Sequence, residues 1–126
     1  MDTILVIDSD EATRNWLQNL LSENNFKVIL TDNGQEGLGK FTENKPNLII
    51  LDINLPDIRS EEIIKEILHS TGKDSIPIIV FSSSYNEVEI ARLFELGIAD
   101  FVQKKAGVDK ELLGKLSTSL IRAKSA

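Results

Sequence analysis

The sequence predicts an α/β fold: a doubly wound parallel sheet of five strands with helices on both faces. Five short β-branched or aliphatic runs alternate with five longer segments of helical period. The connections between them are short, as βα units in a parallel sheet require. The first, third and fourth runs are almost wholly apolar, the pattern of strands covered on both faces.

The first run is "TILVI" (Thr3 to Ile7), followed by Asp8, Ser9 and Asp10. A helix over Glu11 to Glu23 then carries Ala12, Trp16, Leu17, Leu20 and Leu21 on one stripe, with Asp10 as its N-cap. "KVIL" (Lys27 to Leu30) is more mixed and suits a sheet edge. The next helix, Gln35 to Glu43, has only Leu38 and Phe41 as anchors. Its Gly37 and Gly39 each cost about 1 kcal/mol relative to Ala, which predicts fraying. "LIIL" (Leu48 to Leu51) ends in Asp52 and precedes a helix over Glu61 to His69 that carries Ile63, Ile64, Ile67 and Leu68. "IIVF" (Ile78 to Phe81) ends in Ser82, before a helix from Glu87 to Leu96 stopped by Gly97. "DFVQ" (Asp100 to Gln103) is the second mixed, edge-like run and leads to Lys104. Asp109 is the expected N-cap of a last helix reaching Arg122, and "RAKSA" is expected to fray.

With 126 residues the chain fits one domain, 1–126, large enough to bury about two-thirds of its unfolded surface. It has no cysteine, so disulfides and thiolate metal sites are excluded, and a reducing, cytoplasmic setting fits. No apolar run approaches the roughly 20 residues that span a bilayer. The N-terminal "MDTILVIDSDE" places acids where an export signal carries basic residues. A net charge of −6 repels a phosphate backbone, so direct nucleic-acid binding is not expected. Protein partners and cations remain open.

In an open parallel sheet, ligands bind beyond the carboxyl ends of the strands. There the sequence places Asp8, Asp52, Ser82 and Lys104. Each has a plain alternative role: an aspartate there can form a turn or a cap, Ser82 lies in "SSS", and Lys104 adjoins Lys105. Their convergence on one rim raises the functional reading. Two close carboxylates need a cation between them, and Mg²⁺ is commonly held by one or two carboxylates plus phosphate oxygens. A hydroxyl and an ammonium group can then receive phosphoryl oxygens, with a carboxylate as nucleophile.

With "ILVIDSD", "PNLIILDINLPD", "PIIVFSS" and "LGIADFVQKK" in this order and spacing, the chain resembles the receiver domain of two-component response regulators over nearly its whole length. The resemblance implies a flavodoxin-like sheet of order 2-1-3-4-5 and a stand-alone receiver. It makes Asp52 the phosphoacceptor, and Asp8, Asp52 and the backbone carbonyl of Asn54 the Mg²⁺ ligands. Ser82 and Lys104 become the phosphoryl-binding pair and Phe101 the aromatic switch. The partners implied are a histidine kinase or phosphotransfer protein upstream and a protein downstream, met through the surface of the fourth helix, fifth strand and fifth helix. Such a chain is not an enzyme, although it assists its own phosphorylation and dephosphorylation.

Three positions depart from the family pattern. Ser9 stands where the family has a second acid that binds metal directly, so Mg²⁺ binding is expected to be weakened. Asp10 could compensate, but its cap role competes. Ser60 replaces a turn glycine and could instead cap the following helix. Lys105 replaces a proline that follows a cis bond; a cis bond before a non-proline residue costs about 2.5–4 kcal/mol, so Lys104–Lys105 is expected to be trans. These departures favour an alternative, a divergent pseudo-receiver acting as a protein-interaction module with little Mg²⁺-dependent phosphorylation. A flavin protein or an aspartate-nucleophile phosphatase fits poorly. "DSDEATR" lacks a glycine-rich phosphate loop, and no acid stands two residues after Asp52. The only histidine, His69, is expected on a helix surface, away from the rim.

Overall fold

Successive side chains of a strand point to opposite faces, so a strand covered on both sides must be apolar throughout. The computed structural model, which describes residues 1–72 and 76–125, shows this in three central strands. They are β1 (Thr3–Ile7), β3 (Leu48–Leu51) and β4 (Ile78–Ser82), flanked by β2 (Lys27–Thr31) and β5 (Asp100–Gln103). The order is β2-β1-β3-β4-β5 and every pairing is parallel. The sheet alternates along the chain with α1 (Glu11–Glu23), α2 (Gly34–Asn44), α3 (Ser60–Thr71), α4 (Glu87–Leu96) and α5 (Asp109–Ser125). Among the described residues no helix is long and apolar enough to cross a membrane.

The alternation divides the core into two layers. On one face Ile4, Val6, Leu48, Ile50, Ile79 and Phe81 pack against Leu17 and Leu21 of α1 and Leu112 and Leu116 of α5. On the other, Leu5, Ile7, Ile49, Leu51 and Val80 pack against Ile63, Ile64 and Ile67 of α3 and Leu93 of α4. Each such side chain contributes roughly 1.5–3 kcal/mol by leaving water.

Polar residues extend two strands beyond the apolar runs. β2 includes Thr31, whose hydroxyl donates to the Val6 carbonyl at 2.8 Å. β4 includes Ser82, which pairs in register with Gln103. Satisfied inside the sheet, both can continue a strand although neither is apolar.

The helix ends correct three expectations. Ser60 is not a cap: it begins α3, after an extended Arg59 that offers no side-chain cap bond. Asp109 is not an N-cap either, for it lies in the first turn of α5, where Leu112 N donates to Val108 O at 2.9 Å. The expected frayed tail is helical through Ser125, with Lys124 Nζ 2.7 Å from Asp2 Oδ2; Ala126 lies outside the described residues. Hydrophobic periodicity stops near Arg122, whereas helical hydrogen bonding needs no apolar stripe. Asp10, in contrast, caps α1 as expected, accepting from Thr13 N at 3.1 Å.

The two glycines inside α2 differ in kind. A Cβ on Gly37 would meet Ile7 Cδ1 at 2.6 Å and Cγ1 at 2.7 Å, so this glycine lets α2 lie close on β1. Nothing lies within 4 Å of a Cβ on Gly39, which faces solvent. Gly37→Ala should therefore destabilise by about 1–3 kcal/mol through overpacking, despite alanine's better helix propensity. Gly39→Ala should stabilise by up to ~1 kcal/mol. Urea unfolding of both variants checks this, and equal effects would contradict the packing account.

Candidate functional site

At the carboxyl edge of the sheet the hydrogen-bond ladder continues one residue past the strands. Asp8 N donates to Thr31 O at 3.0 Å, Asp52 N to Ile7 O at 2.9 Å, and Lys104 N to Ser82 O at 2.9 Å. The ladder thus holds the backbones of the strand-end residues singled out from the sequence. It sets them along one edge, where three of them are buried: Asp8 is 1% exposed, Asp52 5% and Ser82 0%.

Lys104 joins them. Its Nζ lies 2.9 Å from Asp8 Oδ2 and 3.0 Å from Asp52 Oδ2. Two buried carboxylates this close repel each other and have lost hydration, and one ammonium offsets both. Burial lifts the Asp8 carboxyl above the ordinary aspartate range, against the pull of Lys104. Burial also opposes the charge on Lys104, but its contacts with Asp8 and Asp52 together outweigh it and hold the ammonium above the usual lysine range. The side chain crosses the Phe81 ring, 5.8 Å from its centroid, and Phe81 stacks on Trp16 at 5.9 Å. Trp16, on the apolar stripe of α1, is therefore separated from Lys104 by one aromatic ring.

The second oxygen of each carboxylate is held by backbone. Asp8 Oδ1 accepts from Asp10 N at 2.9 Å and Asp52 Oδ1 from Asn54 N at 3.2 Å. Ser9 Oγ donates to Asn54 O at 3.2 Å, and Asn54 Nδ2 donates to Ser84 Oγ at 2.9 Å. Ser82 Oγ accepts from Ser84 N at 3.2 Å. Phe101 stands apart, half-buried, with its ring edge-on to Tyr85 at 5.9 Å. His69 is exposed on α3, off this rim. The Lys104–Lys105 peptide is trans.

Sequence reading missed three participants. Phe81 looked like an ordinary core residue. Arg14 donates from Nη1 to the Asp8 carbonyl at 2.8 Å, and nothing in its helical position signals that. Asp57 bonds the start of α2, a partner remote in sequence.

The donors suit a hard divalent cation such as Mg²⁺. Asp8 Oδ2 is buried and, among the described residues, no hydrogen-bond donor is directed at it; the Lys104 approach is a charge contact. Asp52 and the Asn54 carbonyl complete a two-carboxylate set of the kind that holds Mg²⁺ together with phosphate oxygens. Among the described residues no three acidic, histidine or cysteine groups come together as a metal site. Ser9 supplies no charge, and Asp10 is turned onto Thr13, whose hydroxyl donates to it at 2.6 Å.

A family model described as "Response regulator receiver domain" matches residues 4–116. Response regulator MprA of Mycobacterium sp. (strain KMS) is 33% identical over 119 residues, covering 94% of this chain and 50% of that protein. MprA of Mycobacterium avium (strain 104) is 32% identical over 121 residues, covering 96% and 52%. The chain thus spans about half the length of these curated relatives. Among solved structures, a two-component response regulator from Clostridium difficile superposes with a TM-score of 0.87 at 26% identity, covering 100% of both chains. A CheY-like receiver domain protein from Methanospirillum hungatei reaches 0.90 at 22% identity, over 99% of this chain and 98% of that one.

Lys104→Met should leave two buried carboxylates facing each other and cost about 3 kcal/mol at neutral pH. Adding Asp8→Asn should return at least ~1 kcal/mol of it, because the remaining carboxylate no longer meets a second charge. A double-mutant cycle by chemical denaturation measures both. Absence of any recovery would show that Lys104 does not stabilise through this pair.

Proposed function

The chain belongs to the response regulator receiver domain family of two-component signalling, and from that membership we propose that it accepts a phosphoryl group on Asp52. The donor is a histidine kinase or phosphotransfer protein, and the output is an altered protein-binding surface. The supporting observation is the placement of Asp52. It is 5% exposed and 3.0 Å from the Lys104 ammonium, and its strand adjoins the one that ends in the fully buried Ser82.

In the transfer, a carboxylate oxygen of Asp52 forms a bond to phosphorus as the bond from phosphorus to the donor's imidazole nitrogen breaks. The leaving imidazole takes a proton. Lys104 moves from the carboxylate to a phosphoryl oxygen, and the Ser82 hydroxyl donates to another. Charge neutralisation and positioning carry most of phosphoryl transfer, which fits a site with no separate base. Receiver domains of this family typically bind Mg²⁺. Asp8, Asp52 and the Asn54 carbonyl would hold it, and when bound it supplies positive charge against the phosphoryl oxygens. Phe101 follows Ser82 inward, exchanging its contact with Tyr85 for a buried position and so changing the surface of α4, β5 and α5.

One observation favours a second reading. Ser9 Oγ already donates to the Asn54 carbonyl, so a neutral hydroxyl occupies the oxygen that a metal would use. A chain relying on this bond would be a protein-interaction module with little phosphorylation.

Incubation with Mg²⁺ and acetyl phosphate should add about 80 Da, the mass of one phosphoryl group, to Asp52 and nothing to an Asp52→Asn variant. An unmodified protein would favour the second reading. Ser9→Asp should also raise Mg²⁺ affinity roughly tenfold by supplying a second adjacent carboxylate. Titration of Trp16 fluorescence reads this directly, and an unchanged affinity would show that Ser9 is not what limits the metal.

A further inference from the structure

The connection from Asp52 to α3 is tied down at a point that the phosphoacceptor chemistry does not use. Asp57 Oδ1 accepts from Gly34 N at 2.8 Å and from Ile58 N at 2.9 Å, while Oδ2 accepts from Gln35 N at 2.9 Å. Gly34 and Gln35 are the first two residues of α2, whose N–H groups have no partner within the helix. The Asn33 side chain satisfies the next one, accepting from Glu36 N at 2.8 Å. Two residues therefore divide the first turn of α2, and one of them comes from a loop more than twenty positions away.

A separate steric observation points the same way. A Cβ on Gly34 would lie 2.8 Å from Ile63 Cδ1 and 3.1 Å from Ile58 Cβ. A side chain on Gly34 would crowd Ile58 of the connection and Ile63 of α3, so the start of α2 lies close against both. The N–H groups of Gln35 and Gly34 also hold the Asp57 carboxyl below the usual aspartate range, the sign of a group bound as an anion.

Asn54 lies three residues before Asp57. Its carbonyl receives Ser9 Oγ, its side chain donates to Ser84 Oγ, and its N–H donates to Asp52. Between the two stand Leu55 and Pro56. Proline locks its own φ and restricts the residue before it, so this short link transmits a displacement instead of absorbing it.

We propose that Asp57 is the positioning residue of the site: by clamping the β3–α3 connection onto the start of α2, it sets where the Asn54 carbonyl and amide stand beside Asp52. Its importance to phosphoryl chemistry rests on the reading above. The clamp itself does not.

The test compares Asp57→Ala, Asp57→Asn and Asn33→Ala by thermal melting, by backbone amide NMR and by the rate of acetyl-phosphate labelling. Asp57→Ala should move the Asn54 and Ser84 amide signals and slow labelling of Asp52 roughly 10-fold. Asn33→Ala removes the other cap of the same helix turn, so it should lower Tm comparably while leaving those signals and the rate in place. Asp57→Asn keeps Oδ1 as an acceptor and should recover most of the rate. The proposal is overturned if Asp57→Ala leaves the Asn54 and Ser84 signals unmoved, or if Asn33→Ala displaces them equally. The signals need no phosphoryl donor. A parent protein that takes no label would therefore count against the phosphoacceptor reading alone, and the amide comparison would still decide on the clamp.

Discussion

One ammonium group between two buried carboxylates is the constraint on which the rest of the site depends. Asp8 and Asp52 end adjacent strands, so the sheet forces them together and out of water. Unpaired, they would repel in a medium too poor in water to screen them. Lys104 comes from the far edge of the sheet and reaches them across β4, with its Nζ over the Phe81 ring. The apolar layer on that face, where α1 and α5 cover Phe81, therefore supports an electrostatic contact as well as a core.

Beside the charge contact runs a chain of neutral hydrogen bonds: Ser9 to Asn54, Asn54 to Ser84, Ser84 to Ser82. Each is worth only about 0.5–1.5 kcal/mol net, so none by itself holds a loop against thermal motion. Together with the charged clamp of Asp57 on α2, they connect the three loops that follow β1, β3 and β4. The hydroxyl of Ser9 has two sides. It brings no negative charge to the rim, and it gives the Asn54 carbonyl a partner within the protein. Both follow from one hydroxyl, and both bear on how far the site depends on a cation.

Much of this was legible in the chain because it is local. Strand runs read as strands because central positions of a parallel sheet tolerate only apolar side chains on either face. Asp8, Asp52, Ser82 and Lys104 could be singled out because each follows such a run, and backbone direction alone then sends them to one edge. The cap at Asp10 was readable because its partner is three residues away. Ser60 and Asp109 look like caps because their side chains suit that position, but both helices already include them and start after Arg59 and Val108, which have no cap chemistry to mark the boundary. Periodicity does not extend the terminal helix past Arg122, because its last turn carries no apolar stripe. Gly37 looked like a weak point in a helix, when in fact it is the place where that helix meets Ile7.

The sequence by itself determined the layer architecture, the two buried faces of the sheet and the rim on which polar chemistry collects. These depend on periodicity and on side-chain polarity, which are properties of short segments. Only the tertiary structure decided that Lys104 bridges both carboxylates, that Phe81 lies between it and Trp16, and that Asp57 bonds the start of α2. Those contacts join residues from separate elements, and their geometry depends on how strands twist and how closely helices approach. No spacing along the chain encodes a distance of 2.8 Å between Asp57 and Gly34; the close packing of Ile58, Ile63 and a glycine without a side chain does.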